Sequence, residues 1–418
     1  MGQEEGLARS RGLSSFQDAL KRAFGWLKMI NTSNSPKTMR ASVLVDAGRI
    51  ELRDVAFPEL RPADVLVRVK AVGLCGTDFH IFAGHANYNT DERGAIIPLA
   101  RQAQTLGHEI VGVVEDAGAR AKGLSPGDRV VLDQGLNCLS AGIDPLCEYC
   151  ATGDSHQCAF YREHGITGLP GGLAEYVAIP AVNAIKITTG IGDAEAALTE
   201  PLGCILHSSN MASRARSRYS LREEASENRI RSILVCGAGP AGLLFIQYLR
   251  NVASYDGLLM VSEPNRKKRD LAARFGAEPI DPTASDVVTA VSDLTQGRRV
   301  DYLIEATGSG KVLSTIPQLI RKQATVLLYG HGHAGVDLSV LNSILFLEPA
   351  LVASVGASGS FDHDGRPVTY RRALGLLEER KIQVGPFITH RYNGLESVPG
   401  AFAGDQTSPE YVKGVVIS

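Results

Sequence analysis

No uninterrupted apolar run in this chain approaches the roughly 20 residues that a membrane-spanning helix needs, so a membrane protein is excluded. Charge of one sign is also missing. The formal net charge of -2 and a pI near 6.6 give no overall field that would draw the chain to nucleic acid or anionic lipid, which leaves small molecules as the expected partners. A disulfide framework is absent as well. The seven cysteines are odd in number and clustered, with no secretory signal before them, a pattern of reduced thiols and metal ligands in a cytoplasmic protein. There is no internal repeat and no low-complexity tract.

What is there amounts to two kinds of text. At 418 residues the chain holds two or three domains at about 150 residues each. Residues 1–39 read as an N-terminal extension, disordered, although "SSFQDALKRAFGWL" within it has the pattern of an amphipathic helix. From residue 40 to about 200 short alternating runs such as "VLVRVKAVGLC" and "HEIVGVVEDAG" predict a β-dominated domain. Residues 218–230, "YSLREEASENRIR", predict a solvated insertion. From about 231 strands alternate with helices, the pattern of a doubly wound parallel sheet covered on both faces, and the chain is therefore α/β.

The sequence Gly237-Ala238-Gly239-Pro240-Ala241-Gly242 follows an apolar strand, "SILVC", and opens a helix. In that context GxGxxG marks a dinucleotide site. Gly237 allows the tight turn, Gly239 lets a pyrophosphate approach the backbone, Gly242 lets helix and strand pack, and the N–H groups of the helix start receive the phosphates. Glu263 ends the next strand, 21 residues after Gly242, where a carboxylate binds the ribose diol and repels a 2′-phosphate. NAD is thus preferred to NADP, although Arg266, Lys267 and Lys268 on the following helix lie close enough to receive a 2′-phosphate unless they form only a solvated helix face. Thr307 ends a later strand on the side where open parallel sheets bind ligands.

Two groups of metal-ligating residues stand out. Cys75 in "GLCGTDFH" and His108-Glu109 in "GHE" supply a thiolate, an imidazole and a carboxylate from separate loops, a donor set that suits Zn²⁺ with one position left open. Glu200 in "LTEPLG" precedes the sheet domain and can face the nicotinamide across the cleft. The other group is Cys147, Cys150 and Cys158 in C-x2-C-x7-C, whose spacing implies a metal without saying what it does.

Taken in order, "CGTDFH", "GHE", "GDRV", C-x2-C-x7-C, "GGLAEY", "TEPLG" and "GAGPAG" resemble the zinc-dependent medium-chain alcohol dehydrogenases, nearest to the sorbitol and threonine dehydrogenase branch. The resemblance implies a GroES-like β-rich catalytic domain, residues 40–202 and 355–418, interrupted by a Rossmann domain, residues 203–354. It implies that Cys75, His108, Glu109 and Glu200 serve a catalytic zinc. Thr77 would take the substrate proton and His80 would deliver it to solvent. It also implies a structural zinc on Cys147, Cys150 and Cys158 with Cys138 as fourth ligand, four thiolates that leave no place for substrate. Here Cys138 is separated from Cys147 by "LSAGIDPL", longer than the family pattern, and the spacing of 33 from Cys75 to His108, also long for that branch, predicts an enlarged loop over residues 83–105 above the substrate pocket, lined by Phe82, His85 and Tyr88. Zinc acts as a Lewis acid that makes an alcohol acidic enough to yield hydride to the cofactor.

The function that follows is a zinc- and NAD-dependent dehydrogenase oxidising a secondary alcohol, a polyol, sugar derivative or hydroxy amino acid, to the ketone. Two alternatives stand beside it: an NADP-dependent carbonyl reductase on the same scaffold, and a non-catalytic nucleotide-sensing zinc protein. Family resemblance implies a homodimer or homotetramer. His156, His164, His207, His331, His333, His363 and His390 read as surface or satisfied core histidines, and Cys204 and Cys236 as small core residues.

Overall fold

The computed structural model describes residues 38–221, 223 and 227–418. The amphipathic pattern "SSFQDALKRAFGWL" lies outside them. Strand structure begins at Thr38, so the last two residues assigned to the extension belong to the strand Thr38–Asp46.

Among the described residues two strand systems carry the fold. In the first, Asp64–Leu74 is the central strand, paired antiparallel with Glu109–Ala117, Tyr176–Pro180 and Lys413–Ile417. The last of these comes from the chain terminus. Ile388–Asn393 pairs parallel beside it, so the final segment lies in the same sheet as the first.

The second system is a six-stranded parallel sheet. Its order is Glu278–Ile280, Leu258–Ser262, Ser232–Cys236, Val300–Glu305, Ile320–Leu328, Ala350–Ala353. Every residue of Ser232–Cys236 and of Val300–Glu305 is buried, as parallel strands covered by helices on both faces must be. The strand order reverses between these two neighbours, and the crevice beyond their carboxyl ends is where such sheets bind ligands. Gly237 and Thr307 stand there. The helical pattern after Gly239 is interrupted: an α-helix covers Pro240–Gln247 and gives way to a wider π turn over Tyr248–Val252.

One apolar cluster runs from Val111 and Ile185 of the first system to Leu243, Ile304 and Tyr370, so the two halves share a core and meet along a fixed line. The helix Thr199–Arg214 packs on Val368–Glu378 along that line. Most described residues of the stretch 218–230 are exposed, as its charge suggests, but Tyr219 and Ile230, near its two ends, are buried. Tyr219 is buried beneath the Arg321 guanidinium, 4.9 Å from its ring centroid.

Candidate active site

Cys75 caps the helix Gly76–Phe82, and Asp78, three residues on, accepts its backbone N–H at 2.9 Å, a capping box. The other oxygen of Asp78 accepts the N–H of Gly107 at 3.1 Å and lies 3.4 Å from Nδ1 of His108. One wholly buried carboxylate thus fastens the two segments that carry the thiol and the imidazole. Glu109 follows, and the Cys75, His108 and Glu109 ligand atoms all fall within 4.8 Å of one another.

Glu109 shows what this pocket is built to hold. Its Oε1 accepts from Lys413 Nζ at 2.6 Å in a pair that is almost completely buried. Its Oε2 is buried without a hydrogen-bond partner among the described residues, in space that exists because residue 73 is glycine: a Cβ there would collide with that oxygen. A buried anionic oxygen with no donor beside a thiol and an imidazole fits a divalent cation, and the mixed sulfur, nitrogen and oxygen set fits zinc. Burial opposes the charge on Lys413, but Glu109 and then Cys75 outweigh it and raise the ammonium above its ordinary value.

Glu200 is held one step back from this group. Its Oε1 accepts from Gln134 Nε2 and from the Cys204 thiol, each at 3.2 Å, and burial raises its carboxyl. Cys204 is therefore a partner of the site's acid as well as a core residue. Thr77 and His80 share one face of the helix Gly76–Phe82, three residues apart. The Thr77 hydroxyl is 3.8 Å from the Cys75 sulfur. His80 stands 6.0 Å ring to ring from His331, which is also 3.4 Å from the hydroxyl of Tyr88. His85 is exposed, its ring 6.3 Å from that of His80, whereas Phe82 turns into the core against Phe402.

At the crevice Gly237 has a φ of +94°, and a Cβ at Gly242 would strike the Gly237 carbonyl. A Cβ at Gly239 would meet nothing, which leaves open space where a pyrophosphate reaches the start of the helix at Pro240 and Ala241. Glu263 is buried, with Oε2 accepting Ala238 N–H at 2.7 Å and Oε1 accepting Asn265 N–H at 2.9 Å, so it shapes the glycine turn directly. Arg266 projects into solvent, where it pairs with Asp270 at 4.0 Å. Thr307 is bonded through its hydroxyl and its N–H to Glu305, whose other oxygen meets His333 at 2.7 Å.

The four lobe thiols also converge. Cys138, Cys147, Cys150 and Cys158 offer sulfurs within 4.8 Å of one another, with 3.6 Å between Cys138 and Cys158 and 3.8 Å between Cys147 and Cys158. Four sulfurs placed tetrahedrally at about 2.3 Å from a zinc ion are spaced by about 3.8 Å. The inserted residues do not carry Cys138 away. They return the chain so that Cys147 N–H points at the Cys138 sulfur, 3.4 Å off.

Two family models match the chain: the alcohol dehydrogenase GroES-like domain over residues 61–189 and the zinc-binding dehydrogenase over 240–379. L-threonine 3-dehydrogenase of Pyrococcus furiosus is 31% identical over 353 residues, which span 84% of this chain and 90% of that protein. The chain belongs to the zinc-dependent medium-chain alcohol dehydrogenases. As a member of that family it is an oxidoreductase of alcohols that works with zinc and a nicotinamide cofactor. Sorbitol dehydrogenase of Arabidopsis thaliana is 28% identical, covering 84% of this dehydrogenase and 87% of its own length. A Sinorhizobium meliloti 1021 protein assigned to the zinc-binding dehydrogenases and bound to NADP superposes with a TM-score of 0.72 at 29% identity, over 92% of this chain and all of that one.

Several functional-site residues escaped the sequence reading. The Cys75-x-x-Asp78 spacing is a capping-box signal in plain sight. His331 and His333 sit in "YGHGHAG" directly after a sheet strand, at the ligand end of the sheet. Gln134 and Lys413 carry no local signal.

Proposed function

We propose that this dehydrogenase oxidises a secondary alcohol of the polyol, sugar-derivative or hydroxy amino acid kind to the ketone, with NAD as acceptor. The observation that carries the reading is the convergence of Cys75, His108 and Glu109 around a buried carboxylate oxygen with no donor. These three residues would hold the catalytic zinc, with Glu200 as the acid behind them. When bound, zinc supplies Lewis acidity that favours loss of the alcohol proton, and the nicotinamide accepts the hydride. Thr77 takes the hydroxyl proton and His80 passes it to solvent. Asp78 keeps Cys75 and His108 in register, and Lys413 holds one oxygen of Glu109 so that the other stays aimed inward. Named relatives that act on threonine and sorbitol support the substrate class.

NAD is favoured because the Glu263 carboxylate is fixed by two N–H groups where a 2′-phosphate would lie, and Arg266 is not turned towards it. The domain division at about residues 202 and 355 suits a terminal segment that returns to the first sheet. A homodimer or homotetramer is supported by the edge strand Ala350–Ala353, which pairs on one side only among the described residues, and by the exposed Leu338, Leu345 and Phe346. A cytoplasmic location suits the free thiols.

The test is NADH production from a panel of polyols, sugars and amino alcohols, with and without a zinc chelator. Turnover that the chelator abolishes and zinc restores is expected. Cys75→Ala should lower kcat by roughly a thousandfold while NADH still binds, as followed by fluorescence. Glu263→Ser should move the preference towards NADP. Turnover unchanged in Cys75→Ala would overturn the mechanism.

A further inference from the structure

Three residues beyond Glu263 the helix Arg266–Arg274 opens with four cations in a row, Arg266, Lys267, Lys268 and Arg269. A basic cluster beside the ribose acid is what a 2′-phosphate recruits. Two of the four are closely engaged. Arg269 donates to the carbonyl of Glu263 at 2.8 Å and to that of Pro264 at 2.7 Å, and pairs with Asp281 at 2.6 Å, so it holds the turn that carries the acid. Lys267 is taken by a residue 143 positions along the chain, its Nζ 2.7 Å from Oε2 of Glu410.

Glu410 reaches this turn on the segment that returns to the first sheet. Asn265 caps the helix by accepting the N–H of Lys268 at 3.1 Å, and its own N–H goes to Glu263 Oε1 at 2.9 Å. Its side-chain Nδ2 donates to the Pro409 carbonyl at 2.7 Å. One residue therefore bonds to the ribose acid and to the immediate neighbour of Glu410, which places both carboxylates at the same rim. The hydrogen bond from Lys267 holds the Glu410 carboxyl below its ordinary value, so it is ionised at neutral pH. Three residues on, Lys413 holds Glu109 of the zinc site, so a single short segment, 409–413, meets both cofactor sites.

We infer that Glu410 is a specificity-determining residue for the coenzyme: its carboxylate occupies the ammonium of Lys267 and sets a second negative charge at the rim held by Glu263, so the site refuses a 2′-phosphate and keeps its preference for a ribose diol. This rests on the NAD reading above. A 2′-phosphate carries about two negative charges at neutral pH. To reach Lys267 it must displace one carboxylate while lying near another, and like charges brought together are costly. The pair is exposed, 39% for Lys267 and 71% for Glu410, so solvent screens it and its worth as stability is small. Its effect is on which anion the lysine serves. Selectivity is thereby shared between the two halves of the molecule, Glu263 from the parallel sheet and Glu410 from the segment that rejoins the first sheet.

The experiment measures Kd for AMP and for adenosine 2′,5′-bisphosphate, which differ only in the 2′-phosphate, on the zinc-loaded, full-length protein by calorimetry. Beside it, kcat/KM is compared for NAD and NADP with the best alcohol of the panel above. Glu410→Gln should tighten the bisphosphate relative to AMP by roughly threefold to thirtyfold, the range of a screened charge-assisted bond, and move kcat/KM towards NADP by a similar factor. The gain should shrink in high salt and vanish in Glu410→Gln/Lys267→Met. A Kd ratio in Glu410→Gln that equals the wild-type ratio overturns the inference. So does a gain that survives in the double variant, since another cation then receives the phosphate. A wild type with a higher kcat/KM for NADP than for NAD removes the NAD reading and this one with it; a wild type that prefers NAD but whose Kd ratio does not respond to Glu410→Gln removes this one alone.

Discussion

Asp78 and Lys413 show how single side chains set the chemistry of this site from behind. Each is buried and each holds a metal-site residue: Asp78 through the N–H of Cys75 and the flank of His108, Lys413 through Glu109. Truncating either partner of a buried ion pair leaves an uncompensated charge, so Lys413→Met should cost about 3–5 kcal/mol of stability, read from urea unfolding. His80 carries a pH prediction. Burial, then His331 and His85, lower its pKa from the ordinary value, so the imidazole remains neutral, and able to take a proton, to a lower pH than an isolated histidine. Activity that depends on it should be full above that lowered value and fade as pH falls through it. In His331→Ala one opposing charge is gone, the His80 pKa rises, and the acid limb of the kcat/KM profile should move to higher pH. A limb that stays in place would exclude His80 from the proton path.

The metal-bearing lobe acts beyond its own loop. Between Cys150 and Cys158 the turn Ser155–Gln157 is bonded to the segment before the helix Val368–Glu378. His156 N–H donates to Ser358 Oγ at 3.1 Å, Ala357 N–H to His156 Nδ1 at 3.0 Å, and Gly359 N–H to Ser155 Oγ at 3.2 Å. The adjoining residues Tyr161 and Glu163 reach the active-site acid through Gln134. A four-thiolate site has no open position for substrate, so its contribution is to rigidity. Cys150→Ser should leave about one zinc per chain by elemental analysis and lower the melting midpoint on the order of 10 °C. Retention of both ions would contradict a four-cysteine site.

Across the whole molecule the shared apolar cluster fixes the first sheet against the parallel sheet, and the cleft between them is crossed by Tyr88 and His331. Among the described residues the parallel sheet ends at Ala350–Ala353, an edge with no further strand, and Phe346 nearby is 83% exposed. Unpaired edges flanked by apolar side chains are places where chains associate. Phe346→Asp should convert an oligomer to smaller species in sedimentation velocity. A wild-type protein that already sediments as a monomer would remove the basis for that assembly.

Much of this was legible before any coordinates. Glycine spacing after an apolar strand, an acid at the end of the next strand, and cysteine and histidine pairs in short motifs are local signals, because turn geometry and ligand type are set by neighbours in sequence. They marked both metal groups and the nucleotide crevice. Tertiary structure alone decided which partners stand behind them. Lys413 is 304 residues from Glu109, Tyr370 is 236 from Gln134, and His331 is 243 from Tyr88. A buried charge, a fixed amide and a cleft-spanning contact depend on which distant segments share a sheet or a core. No window of sequence carries that, since the same residues elsewhere would be ordinary surface or core.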